Sequence, residues 1–150
     1  MLELPFEFTW IDAELILRLL VAVVLGAIIG YEREKSHKPA GLRTHIFVSM
    51  GACLFTLASF YLLPTDIGGS FDATRIAAGV VAGISFIGAG SIIALRGDVK
   101  GLTTAASLWV IAAIGMIIGL GNYTLPIITT IIAYLILRLD RVEKKLRIKK

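Results

Sequence analysis

The side chains able to do chemistry in this sequence are its charges, because they are set into or beside apolar runs. Arg18 follows Glu14 by four residues, the spacing of an ion pair on one helix face. Glu32 and Arg33 close one apolar run and Arg43 opens the next, while Arg96, Asp98 and Lys100 form a similar cluster further on. Together they predict a charged vestibule that either anchors helix ends or meets a ligand or partner. Asp72 and Arg75 suit the start of a helix, where a carboxylate favours the dipole. With Asp66, Asp12 and Glu14 they make an acidic rim whose oxygen ligands suit a hard divalent cation such as Mg²⁺, with Asp66 and Asp72 as the ligand candidates. His37 and His45 have no Cys or second His at zinc spacing and read as loop or helix-start residues. No Ser/His/Asp set, Walker loop, CxxC or HExxH occurs, so no nucleophile can be paired with a base and an enzyme is not expected.

The elements that position these groups follow from composition. The 150 residues are 57% hydrophobic and 17% charged, with mean hydropathy +0.85. A soluble domain is about 45–50% apolar and about 25% charged. A disordered or nucleic-acid-coating chain is thereby excluded, and a bilayer is the solvent that tolerates this balance. Cys53 is alone, which rules out an intrachain disulfide framework. Apolar runs at Ala13 to Gly30, Leu42 to Leu63, Ile76 to Leu95, Thr103 to Leu120 and Thr124 to Leu139 predict five spans, judged against about 20 residues each. The segment before Ala13 has Glu3, Glu7 and Asp12 but no Lys or Arg, so the first span is expected to remain in the mature protein.

Thirteen of the fifteen Lys and Arg fall in the connection between spans one and two, in that between spans three and four, or in the C-terminal tail, counting Arg43 at the start of span two and Arg138 at the end of span five. Cations are retained on the cytoplasmic side, which predicts the N-terminus outside and the C-terminus inside. The expected organisation is an acidic extracytoplasmic segment 1–12, a five-helix all-α membrane domain 13–139 and a basic cytoplasmic tail 140–150. The basic surplus then addresses anionic lipid rather than nucleic acid.

The two inner connections also resemble each other. GAIIGYEREKSHKPAGLRTHIF pairs with GSIIALRGDVKGLTTAASLW, matching Gly26 to Gly90, Arg33 to Arg96, Lys38 to Lys100 and Gly41 to Gly101. Two repeated helical hairpins of one orientation, plus a fifth helix, would account for this; coincidence between two inner turns is the alternative. Packing in lipid needs small facing residues. Gly26 and Gly30, Gly79 and Gly83, and Gly115 and Gly119 supply GxxxG faces, with Gly88 and Gly90 thinning the third span. Spans three and four are the expected central pair, and small faces left over point to a homo-oligomer.

At this point the residues carry a resemblance. GAIIGYERE, AGLRTHIFVSMGACLF, RIAAGVVAGISFIGAGSII and VKGLTTAASLWVIAAIGMIIGLG resemble the membrane domain of the MgtC/SapB family, from about Ala22 to Gly121. The resemblance implies a multi-pass protein of the bacterial cytoplasmic membrane, linked to magnesium limitation, acid tolerance and virulence. It further implies a regulator of the F-type ATP synthase and membrane potential more than a magnesium transporter. Carried over by position, the motif residues are Glu32, Arg33, Gly41, Leu42, Arg43, Thr44, Arg75, Gly88, Ala89, Gly90 and the run Lys100 to Trp109, including Thr103 and Thr104. Two departures stand out. Gly79 occupies the place of a Gln found in many relatives, with Ser85 adding a hydroxyl where they read GIGF; and where many relatives continue into a soluble C-terminal domain, this sequence reads as a basic tail, so any ligand sensing by such a domain is expected to be absent or supplied by another chain.

Three readings compete: a non-enzymatic regulator docking a partner membrane protein, a small oligomeric carrier or channel for Mg²⁺ or another cation, and an enzyme. The carrier would need Ser49, Thr56, Ser85, Ser91, Thr104 and Ser107 to face one shared polar path. No carboxylate falls at the middle of a span, where transporter sites lie.

Overall fold

The computed structural model describes residues 10–62, 73–95 and 98–147. They form helices α1 (Trp10–Lys35), α2 (Leu42–Leu57), α3 (Ala73–Gly90), α4 (Leu102–Gly119) and α5 (Thr124–Arg147). A π-helical turn, Ala58–Leu62, continues α2, and a two-stranded antiparallel hairpin, β1 (Ile93–Leu95) with β2 (Asp98–Lys100), joins α3 to α4. Three segments are long and apolar enough to cross a membrane: Trp10–Lys35, Leu42–Phe60 and Leu102–Gly119. Arg75–Gly90 and Thr124–Leu139 are shorter apolar helices.

Helix ends are set by local chemistry. α1 stops in a Schellman turn, with the Lys38 amide donating to the Arg33 carbonyl and the His37 amide to Glu34, and with His37 at φ +50°. The Glu34 carboxylate then accepts the Leu42 amide at 2.8 Å and so caps α2. α4 ends in the same motif, through Asn122 N–H to Ile117 and Gly121 N–H to Ile118, with Gly121 at φ +85°. Asn122 Oδ1 in turn accepts the Leu125 amide at the start of α5.

The third apolar run does not stay helical to Leu95, as its hydropathy predicts. The helix ends at Gly90, and Ile93–Leu95 pairs with Asp98–Lys100. Short apolar runs serve strand and helix equally, and here the turn between them decides. Gly101 sits at φ +94°, and a side chain there would collide with the Ser91 carbonyl.

α2 lies between α1 and α4, and α5 packs on α1 and α4. Ala22, Leu25 and Ile29 of α1 meet Cys53 and Leu57 of α2, Ile111, Ile114 and Ile118 of α4 and Leu137 of α5 in one core. A smaller core joins Ala40, Ala52, Ile84, Leu108 and Ala112.

The close approaches are made at α2 rather than between α3 and α4. A Cβ on Gly26 would stand 2.9 Å from the His45 carbonyl, and one on Gly30 2.8 Å from Leu42 Cα. A Cβ on Gly115 would meet the Ser49 backbone, and one on Gly119 Thr56 Cβ at 2.7 Å. Gly88 makes only ordinary contact with Ala105, and Gly79, Gly83 and Gly90 face open space. The expected central pair of spans three and four is therefore corrected to α1–α2 and α2–α4, because the α3 glycines at 79 and 83 border an open cleft beside α2 and touch no neighbour. Gly26 and its repeat counterpart Gly90 accordingly have different surroundings.

Candidate functional site: a buried polar seam at one end of the bundle

Glu32 and Arg33 are 2% and 1% exposed, on the last turns of α1. Glu32 Oε2 accepts from Arg33 Nε at 2.6 Å and also pairs with Nη2, while Oε1 accepts from the Ser36 hydroxyl at 2.8 Å. Arg33 Nη2 donates onward to the Leu137 carbonyl of α5 at 3.3 Å. A buried ion pair has to recover a desolvation cost of several kcal/mol per ion, and it does so only when the remaining lone pairs and protons are also engaged. Ser36 and Leu137 supply those engagements and tie α5 to α1.

His45 lies one helix away with no exposed surface, packed against Gly30. Nδ1–H donates to the Gly41 carbonyl at 2.9 Å, so Nε2 is the acceptor in the neutral ring. The Ser107 hydroxyl is 3.0 Å from that Nε2 and 2.8 Å from the Thr104 carbonyl, and its single proton can be donated to only one of these two acceptors at a time. One turn above His45 on α2, Ser49 is fully buried and its Oγ has no hydrogen-bond partner.

Of the residues singled out from sequence, Glu32, Arg33 and Thr104 lie in this seam. The others do not join it: Arg43 and Thr103 are exposed, Thr44 is half-buried, and Trp109 is 52% exposed on α4. Asp98 and Lys100 are exposed on β2, 3.6 Å apart. Arg75 is exposed at the start of α3. Asp66 and Asp72 lie outside the described residues, as do Glu3, Glu7 and Arg96. Among the described residues no group of three or more His, Cys, Asp or Glu could hold a metal ion. The hydroxyls named for a shared path part company, with Ser49, Thr56, Thr104 and Ser107 buried, Ser85 exposed on α3 and Ser91 half-buried just after it.

Sequence reasoning missed His45 and Ser107 as a pair, because 62 residues separate them and neither has a short motif. The far end of the bundle has its own buried cation. Arg18 pairs with Glu14 as the spacing predicts, and its Nη1 also donates to the Gly119 carbonyl at 2.8 Å.

These features define a helical membrane protein whose core charges bind helix to helix. The chain belongs to the MgtC family, whose model matches residues 19–145. It is 47% identical over 129 residues to YhiD of Escherichia coli (strain K12), whose name describes a candidate magnesium transporter, covering 83% of this chain and 60% of that protein. Protein MgtC of Salmonella typhimurium (strain LT2) is 46% identical over 117 residues, covering 78% of this chain and 48% of the relative. Protein SapB of Bacillus subtilis (strain 168) is 38% identical over 118 residues, covering 76% and 51% respectively. The chain thus spans about half to three-fifths of the length of these curated relatives. No solved structure matches it.

Proposed function

We propose that this chain is a non-enzymatic regulator in the bacterial cytoplasmic membrane, acting by docking a partner membrane protein during magnesium limitation, acid or virulence-related stress. The orientation adopted has five spans, with the N-terminus outside and the C-terminus inside. The observation that carries the reading is the Glu32–Arg33 pair, whose charges are spent on Ser36 and the α5 backbone rather than turned toward a passage. Family resemblance makes the F-type ATP synthase a candidate partner, and self-association into a homo-oligomer is part of the same proposal.

A second reading, a small oligomeric carrier of Mg²⁺ or another cation, is favoured by the buried His45–Ser107–Thr104 line and by the name of the YhiD relative. Flux in sealed liposomes with Mg²⁺- and proton-sensitive dyes separates the two. The regulator reading expects no flux above empty liposomes from folded, inserted protein. Saturable Mg²⁺ entry that is lost in Glu32→Gln or Asp72→Asn would overturn it.

A further inference from the structure

α2 and α3 diverge enough to leave an apolar cavity of about 640 Å³ between them. Phe47, Gly51 and Phe55 of α2 form one wall and Gly79, Gly83 and Ile87 of α3 the other, with Ala112 of α4 at the back. A Cβ on Gly51, Gly79 or Gly83 would meet nothing within 4 Å, so their missing side chains give the cavity its width. Its lining contains a single charged side chain, Arg75, at the first turns of α3. No described residue bonds to that guanidinium.

The dimensions identify an occupant. From Arg75 to Ile87 the α3 wall runs about 18 Å at 1.5 Å per residue. One leaflet of the hydrocarbon core is about 15 Å deep, half of its roughly 30 Å thickness. A second helix crossing the bilayer would need a groove about twice as long. A slot one leaflet deep, apolar along its length and cationic at one end, has the outline of a phospholipid. The guanidinium fork also matches a phosphate, which it can grip with two parallel N–H donors.

We propose that this cavity holds one phospholipid, its phosphate on Arg75 and one acyl chain laid against Gly79, Gly83 and Ala112. This goes beyond the regulatory reading and needs only that α3 lie in the bilayer. Three sides of the chain are enclosed by α2, α3 and α4, which separates it from lipid that merely surrounds the protein. The lipid supplies the apolar contacts that α3 lacks, and so it holds α3 in place.

The test is native mass spectrometry of the full chain purified in mild detergent, after reconstitution with phosphatidylglycerol, comparing wild type with Arg75→Gln, Gly83→Leu and Gly90→Leu. Wild type and Gly90→Leu, whose added side chain lies outside the cavity, should each retain one phospholipid. Arg75→Gln should lower occupancy about tenfold or more, through loss of a charge-assisted contact. Gly83→Leu should abolish it by filling the slot, with helicity by circular dichroism unchanged. The inference is overturned if wild type retains no lipid, if all four proteins retain it equally, or if Gly83→Leu instead converts a dimer to a monomer, since a second copy would then be the occupant.

Discussion

Arg18 of α1 donates from Nη1 to the carbonyl of Gly119, 101 residues away at the last turn of α4. That carbonyl belongs to a helix end, where orphan acceptors collect and a cation is favoured. The guanidinium also fixes what can follow, since a Cβ on Gly121 would stand 2.9 Å from Nη2. Arg18→Met is expected to lower stability by about 1.5–3 kcal/mol, the worth of a hydrogen bond to a charged group. Thermal unfolding in detergent measures this, and an unchanged midpoint would show that Arg18 is a bystander.

Removing half of the Glu32–Arg33 pair should cost far more than removing half of the Asp98–Lys100 pair. Glu32→Gln leaves a buried guanidinium uncompensated, with an expected loss of about 3–5 kcal/mol. Asp98→Asn, on an exposed pair, should leave the unfolding midpoint where it was. Glu32→Gln combined with Arg33→Met should recover part of the loss, because no unpaired charge remains; a double variant worse than the single would contradict this account.

Glycine-to-alanine changes should divide by neighbour. At Gly115 the new methyl meets the Ser49 backbone, which cannot swing aside, and the expected cost is at least about 1–3 kcal/mol. At Gly79 it enters open space and should be neutral or gain up to about 1 kcal/mol from helix propensity. Yield of folded protein and melting midpoint both read this, and equal effects at the two positions would refute the packing described.

His37 closes α1 at φ +50°, a region in which L side chains are strained by about 1–2 kcal/mol. His37→Gly should therefore raise the melting midpoint or leave it unchanged. A clear drop would mean that the His37 side chain makes a contact worth more than the strain.

In a Cys53→Ser background, a single cysteine at Lys38 should react with membrane-impermeant maleimide only after the cytoplasmic face is opened. One at Asn122 should react in intact cells. The opposite pattern would invert the proposed orientation.

Much of this was legible in the sequence because membrane helices declare themselves by hydropathy and Arg18–Glu14 by its spacing. Gly26, Gly30, Gly115 and Gly119 could be read as contact points, since only small residues let backbones approach in lipid. Gly79 and Gly83 carry the identical pattern yet face open space, because a small-residue stripe says nothing about which neighbour turns toward it. The β1–β2 hairpin was hidden by the run Ile92 to Leu95, which has the hydropathy of a span's end. The His45–Ser107 contact depends on how α2 and α4 lie against each other, which no local pattern encodes.

The central place of α2 also bears on how the chain is made. Its packing on α1 joins neighbours separated by a six-residue turn and can form as soon as that hairpin leaves the ribosome. The packing on α4 must wait until α3 and the β-hairpin have been synthesised. For that interval the face bearing Ser49, Cys53 and Thr56 awaits Gly115 and Gly119, so α4 arrives as the closing piece of assembly, sliding into a place the first hairpin has kept.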